Sequence, residues 1–313
     1  MVIRRHVAAL AALVLLGTST ALFAQDPPKL AKDEERELKA ISGAMGNAQD
    51  GKAVTNAIGL TWLRDDALQA QGANTVMAFQ VGVDPAKVQG GKVYLFWRVL
   101  PAAVPGDKKK PAVVFEKFST YDVAAGATEV RIPRLFLGPI GAVDVFIGAT
   151  SPGDGKTKVA PSVLRHTVNV PNLERGDFLV SNAYLFRGKK YTTALGPTDF
   201  FDHPYGSPDE EELPLDEPVY AQGEPLQLNG FVFNATGPVT CEYVATALAA
   251  DGEKEAKKWA PTDINAKTSP GIPGSSGIPL SGLTAGRYRL DIKLTDKGSG
   301  KSISRSFPFQ IAK

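Results

Sequence analysis

The chain has 313 residues, with 31 glycines, 23 prolines and one cysteine, a composition that suits short strands and tight turns better than long helices. The length accommodates two ordinary domains beside a leader and a linker. Lysine plus arginine number 35 and aspartate plus glutamate 33; loss of Arg4 and Arg5 with a leader lowers the first figure to 33, so no summed positive field draws nucleic acid, and that partner class is excluded.

At the N-terminus Arg4 and Arg5 precede an apolar run over 7–16 and then small residues. Positive charge, apolar core and small-residue exit, in that order, predict a signal peptide over 1–24, cut after Ala24 or Ala21. The run is short of the ~20 residues that a membrane span needs, so the mature chain is expected to have no transmembrane segment and to be periplasmic or extracellular. The paired arginines also fit twin-arginine export, although the leader is otherwise of the general secretory kind.

Residues 25–54 are charged, and Leu38, Ile41 and Met45 stand at helical spacing behind Asp33, Glu34 and Glu35, which fits a short helix or a flexible tether. The period then changes to two. Strands are predicted at 57–64, 74–83, 92–100, 112–121, 127–133, 142–149 and 164–170, seven in all, the number in an immunoglobulin-like sandwich. These form a first domain over 55–172. After a break at 171–176 a second domain over 177–313 has strands at 178–187, 225–234, 239–248, 277–281, 287–295 and 302–311, with a weaker one at 256–260. The predicted fold class is all-β, two tandem immunoglobulin-like β-sandwiches. Between the strands of the second domain lies an acidic, proline-rich loop at 196–223, longer than compact folds usually carry.

Two segments match at a single offset. Gly141, Thr150, Gly153, Gly155 and Lys156 align without a gap on Gly286, Thr295, Gly298, Gly300 and Lys301, and Val143, Val145, Ile147 and Ala149 align on Tyr288, Leu290, Ile292 and Leu294. Both read as strand, glycine turn, strand, by domain repetition or by shared hairpin chemistry. The second of them, LTAGRYRLDIKLTD followed by KSISRSFPFQI, resembles the last two strands of immunoglobulin-like modules in secreted bacterial proteins, in particular the tails of VWFA-related and GWxTD-type proteins. GDFLVSNAYLF and YAQGEPLQLNGFVF are similar to the opening strands of such modules, so the likeness covers most of 177–313. It implies a tyrosine-corner role for Tyr288 and carries no catalytic residue, because the GWxTD motif and the D-x-S-x-S metal-adhesion pattern are both missing from the chain.

Chemistry-bearing motifs are sparse. Gly155-Lys156-Thr157 and Gly300-Lys301-Ser302 imitate the end of a phosphate loop, but each lacks the earlier glycine and 302–309 alternates as a strand, so both read as turns. No G-x-S-x-G elbow occurs, and only His166 and His203 remain beyond the leader. His166 lies in a strand pattern. His203 stands among Asp199, Asp202, Asp209 and Glu210 to Glu212 in the long loop. Asp199, Asp202, His203 and Asp209 are the candidate calcium ligands; the competing reading, favoured by their irregular spacing, is a solvated acidic loop. Arg175-Gly176-Asp177 is read as a linker turn, Trp97 and Cys241 as core, and Trp259 as the tryptophan most open to solvent. No catalytic or cofactor-binding residue is assigned. The expected function is non-enzymatic binding or scaffolding of a protein partner in the cell envelope; carbohydrate or envelope-polymer binding is the second expectation, and an extracytoplasmic hydrolase the third.

Overall fold

The computed structural model describes residues 30–313 except 103–110, 154–157, 193, 197–198, 251, 269, 275–276 and 313. The expected leader, Gly155, Lys156 and Thr157 lie outside the described residues. The described chain is mostly strand with one α-helix, and none of its helices is long and apolar enough to cross a membrane. It divides into two compact units. The first runs to Asn172 and includes Leu195–Pro204; the second comprises Leu173–Ala194 and Tyr205–Lys313.

In the first unit, helix α1 (Lys32–Gln49) is followed by β1 (Thr61–Gln71), β2 (Asn74–Val83), β3 (Lys92–Pro101), β4 (Phe115–Asp122), β5 (Val130–Pro139), β6 (Gly141–Thr150) and β7 (Ser162–Val170). One sheet has the order β1-β2-β5, the other β4-β3-β6-β7. Alternation in β3 sends Val93, Leu95, Trp97 and Val99 inward, each 0 % exposed, and Phe79 of β2 meets the Trp97 ring edge-on at 6.0 Å. The Trp97 indole donates to the Leu135 carbonyl at 2.9 Å, which satisfies its only donor inside the core.

The other face of β3 is apolar too, because α1 covers it. Ile41 and Met45 pack on Tyr94, Phe96, Leu100 and Phe146, so β3 reads as a nearly unbroken hydrophobic run. Of the two possibilities at 25–54, the helix is the one that forms over Lys32–Gln49, and the acids in its first turn complement its dipole. The Tyr94 hydroxyl donates to Asp33 at 3.0 Å and fixes that end. Gly148 makes the close approach possible: a Cβ there would run into Ile41 and lie 2.9 Å from Met45 Sδ. Gly148→Val is therefore expected to lift α1 from the sheet, with a loss of about 1–3 kcal/mol and faster proteolysis within 32–49. Unchanged cleavage there would show that the helix does not depend on this contact.

In the first unit the strand limits depart furthest from the sequence expectation at β1 and β5. β1 begins at Thr61, because Asn56 brackets Leu60 through both its amide oxygen (2.6 Å) and nitrogen (2.9 Å) and turns the preceding residues; the strand then continues through polar residues with two bulges. β5 does not stop at Pro133. Its described ladder runs to β2 alone, and a proline on such an edge forfeits no ladder bond.

In the second unit β8 (Leu179–Phe186), β9 (Lys189–Lys190), β10 (Glu210–Glu211), β11 (Pro214–Leu215), β12 (Val219–Tyr220), β13 (Gln227–Phe233), β14 (Val239–Ala249), β15 (Gly252–Lys258), β16 (Thr262–Ile264), β17 (Gly286–Asp296) and β18 (Ser302–Ile311) follow in order. One sheet is β11-β8-β13; another is β12-β18-β17-β14-β15, with β16 also on β14 and β12 parallel to β18. Leu185, Leu228 and Val232 from the first share a core with Cys241, Tyr243, Leu290, Ile292 and Phe309 from the second. The segment 277–281 contributes only an isolated bridge, Leu226 to Ile278, since Pro279 offers no amide for a ladder.

Both matched segments open antiparallel pairs, β6 with β7 and β17 with β18. The turn after β17 is anchored by Asp296, which is 0 % exposed. Its carboxylate accepts from Thr236 N (3.0 Å), Thr236 Oγ1 (2.8 Å), Gly237 N (2.9 Å), Gly298 N (3.1 Å) and Ser299 Oγ (2.6 Å). Burial alone would oppose its ionisation; the bonds from Ser299, Thr236 and Gly298 outweigh that and hold the carboxyl well below the usual carboxylate range. The Tyr288 hydroxyl donates at 2.8 Å to the carbonyl of Thr284, four residues upstream.

Candidate functional site

The stretch 196–223, singled out for its acids, is distributed along its length rather than free. Residues Leu195–Pro204 pack with the first unit, and from Tyr205 onward the chain belongs to the second. Asp199, Asp202 and His203 thus stand in one unit and Asp209 in the other. Among the described residues no group of three or more His, Cys, Asp or Glu side chains is arranged to hold a metal ion.

Asp199–Phe201 forms a single 3-10 turn. The Asp199 carboxylate accepts from Gly196 N at 2.8 Å, and its carbonyl accepts from the amides of Asp202 and His203 at 3.0 and 2.9 Å. This turn delivers two adjacent side chains to the first unit. Phe201 stacks on Phe115 of β4 at 6.1 Å, and Lys117 Nζ lies 3.8 Å from the centroid of the Phe201 ring. Asp202 meets Arg134 of β5, its Oδ1 3.1 Å from Nε, and its carbonyl accepts from Nη1 at 3.2 Å.

Arg134 is 1 % exposed and is held by further acceptors on all sides: Ser119 Oγ at 2.7 Å, the Pro133 carbonyl at 2.7 Å and the Thr120 carbonyl at 3.0 Å. Alternation explains its place, since it lies opposite Phe79 in the β2–β5 register and so points to the side that Phe79 fills. Burial lowers the pKa of both Lys117 and Arg134, and in each case Asp202 opposes the shift. The guanidinium stays charged regardless. The chemical role of Asp202 is therefore that of counter-charge to a buried cation.

Several other acids in the stretch and just beyond it meet bases remote in sequence. Glu217 pairs with Arg287 at 2.9 Å, Glu224 with Arg187 at 2.8 Å, and Glu210 and Glu211 lie opposite Lys190 and Lys189 in the β9–β10 ladder. The run 196–223 itself holds no lysine or arginine; the partners lie up to seventy positions away, where no local pattern reveals them. Arg134 lies just past the limit predicted for its strand and was not singled out from the sequence, where nothing marks it as buried.

The other residues weighed from the sequence have structural surroundings. His166 stacks on Trp62 at 4.3 Å, and the Trp62 indole donates to Asp65 at 3.3 Å. Cys241 is buried in β14, its thiol pushed up to about 11 by burial. Trp259 is half-buried against the second core, with Lys257 Nζ 5.1 Å from the centroid of its ring and its indole donating to the Pro279 carbonyl at 3.3 Å. Asp177 of the Arg-Gly-Asp turn pairs with Lys301 at 2.6 Å, and Ser302 opens β18 rather than a helix.

A hollow of about 370 Å³ lies on the outer strand face of the second unit. Glu242 of β14, Lys258 of β15, Asp291 and Lys293 of β17, and Ser304 and Arg305 of β18 are among its lining. It is an open strip of both charge signs.

No family model and no curated protein matches the chain. Among solved structures, a dimeric latent PorU from Porphyromonas gingivalis is similar with a TM-score of 0.34 and 8 % identity, over 85 % of this chain and 21 % of that one.

Proposed function

We propose that the chain is an exported, non-enzymatic binding protein of the cell envelope, built of two immunoglobulin-like sandwiches, with the outer strand face of the second as its contact surface for a protein partner. Three features support the architecture. The orders β1-β2-β5 and β4-β3-β6-β7 correspond to A-B-E and C′-C-F-G, with Trp97 at the buried tryptophan position of strand C. In the second unit β14, β17 and β18 take the places of C, F and G. The bond from Tyr288 to Thr284 has the form of a tyrosine corner.

The observation that carries the binding reading is the shallow strip holding Glu242, Asp291, Lys258, Lys293 and Arg305 on four adjacent strands. Alternating charges on a flat rigid surface fix the register of a complementary protein surface better than they enclose a small molecule. Charge reversal at Lys258, Lys293 and Arg305 together is expected to lower partner capture from the envelope fraction at least about tenfold, with near-ultraviolet circular dichroism unchanged. Capture that persists in the triple variant would remove the strip from consideration. N-terminal sequencing of protein recovered outside the cytoplasm tests export, with Gln25 or Leu22 as the expected first residue.

A further inference from the structure

Glu212 has no part in that strip; it is half-buried at the end of a tight hairpin. Gly206 has a φ of 110°, and a Cβ there would collide with the Glu210 carbonyl, so the backbone can double back only with glycine. Ser207 N then donates to Glu210 O at 2.8 Å, Glu212 N to Tyr205 O at 3.4 Å, and Tyr191 N to Asp209 O at 3.0 Å, which joins the turn to β9.

This hairpin brings the Glu212 side chain beside Asn229 of β13, whose Nδ2 donates to Oε2 at 3.3 Å and also to the Tyr184 hydroxyl at 2.8 Å. Tyr184 of β8 meets Tyr205 edge-on at 5.6 Å. The charged groups nearby do not compensate a carboxylate. Glu210, on the same turn, repels it; Glu211 lies by the Tyr191 hydroxyl; and Lys189 and Lys190 register opposite Glu211 and Glu210. Among the described residues no ion pair reaches Glu212. One long hydrogen bond from a neutral amide is poor compensation for a desolvated charge.

We propose that the 205–212 hairpin is a proton-sensitive latch, held closed against Asn229, Tyr184 and Tyr205 while Glu212 is neutral and released when it ionises. Burial, and then the neighbouring Glu210, push this carboxyl up to about 7. In an open hairpin it reverts to an ordinary glutamate, with a pKa of 4.5. The closed form therefore binds the proton more tightly; its advantage is complete below about pH 4.5, falls as the pH rises to about 7 and is constant beyond. A surface element with this property loosens at neutral pH and closes in mild acid.

Amide exchange of Ser207, Glu212 and Tyr191, corrected for intrinsic chemistry, reads the opening constant in the intact chain. It is expected to rise by about 80-fold between pH 4.5 and 7 in the wild type, out of about 300-fold from well below to well above that window, and to stay flat in Glu212→Gln. Glu210→Gln removes the repulsion that raises this carboxyl, so it should move the rise to lower pH and make it smaller without abolishing it. A change below about threefold in the wild type, or the same rise in Glu212→Gln, overturns the latch. Should the glutamine variant loosen the hairpin by itself, the Glu212 carboxyl resonance of the wild type decides: a midpoint near 7 is expected, and one in the ordinary glutamate range is fatal to the proposal.

Discussion

Asp202→Ala is expected to destabilise the chain by about 3 kcal/mol, more than the removal of the arginine it faces. The asymmetry follows from burial. Arg134 is 1 % exposed and cannot shed its charge, so loss of Asp202 leaves a buried guanidinium beside Lys117 with only neutral acceptors. The Asp202 side chain is 33 % exposed, so water reaches it and the cost stands at the lower end of what breaking a buried pair produces. Arg134→Met retains volume, removes the cation, and leaves a carboxylate that solvent hydrates; a loss of about 1–1.5 kcal/mol is expected, from the unmet Ser119 and Thr120 acceptors.

The double variant is the decisive measurement, because deleting Arg134 should rescue Asp202→Ala. Urea unfolding of the full chain should place it above Asp202→Ala in stability by at least about 1 kcal/mol. Simple addition of the two losses would mean that the contact of Leu195–Pro204 with the first unit rests on Phe201 packing and not on charge.

Asp296→Ala is expected to cost about 4 kcal/mol in the second unit. The carboxylate closes five hydrogen bonds, three of them from backbone amides that no rotamer can redirect, and truncation leaves those donors buried without acceptors. Asp296→Asn preserves shape but presents an amide where only acceptors are tolerated, so about half the loss should remain. The pH dependence has a fixed sign. The folded-state carboxyl lies below the 3.8 of an ordinary aspartate, so its contribution is complete above that pH and is lost as the pH falls further. Wild-type stability should fall more steeply below about pH 4 than that of Asp296→Asn. Parallel pH profiles for the two proteins would show that the carboxylate does not carry this linkage.

The sequence by itself determined the strands whose side chains alternate about a buried face. β2 and β18 have the limits that period two gives, β3 and β14 run one residue past it at one end, and β6 and β17 by one residue at both ends. The Gly-rich turns of the matched hairpins were equally legible, because turn conformation is a local property of glycine. Edge strands were harder: β1 and β5 carry Asp, Arg and Pro at positions that a central strand forbids and an edge with bulges permits. That distinction depends on what lies alongside, which local periodicity does not encode.

The tertiary structure alone decided the fate of the acidic stretch. Its composition signals carboxylates in need of counter-charge, and that need is real, but the sequence could not say whether calcium, a partner or the chain itself meets it. Arg134, Arg187 and Arg287 lie tens of residues from Asp202, Glu224 and Glu217, and each pair forms because strand pairing and chain reversal bring remote segments within Coulombic reach. Glu212 illustrates the converse: adjacent in sequence to Glu210 and Glu211, it is set by the Gly206 hairpin beside Asn229, with no cation paired to it among the described residues, and this desolvation, invisible in the order of residues, raises its pKa.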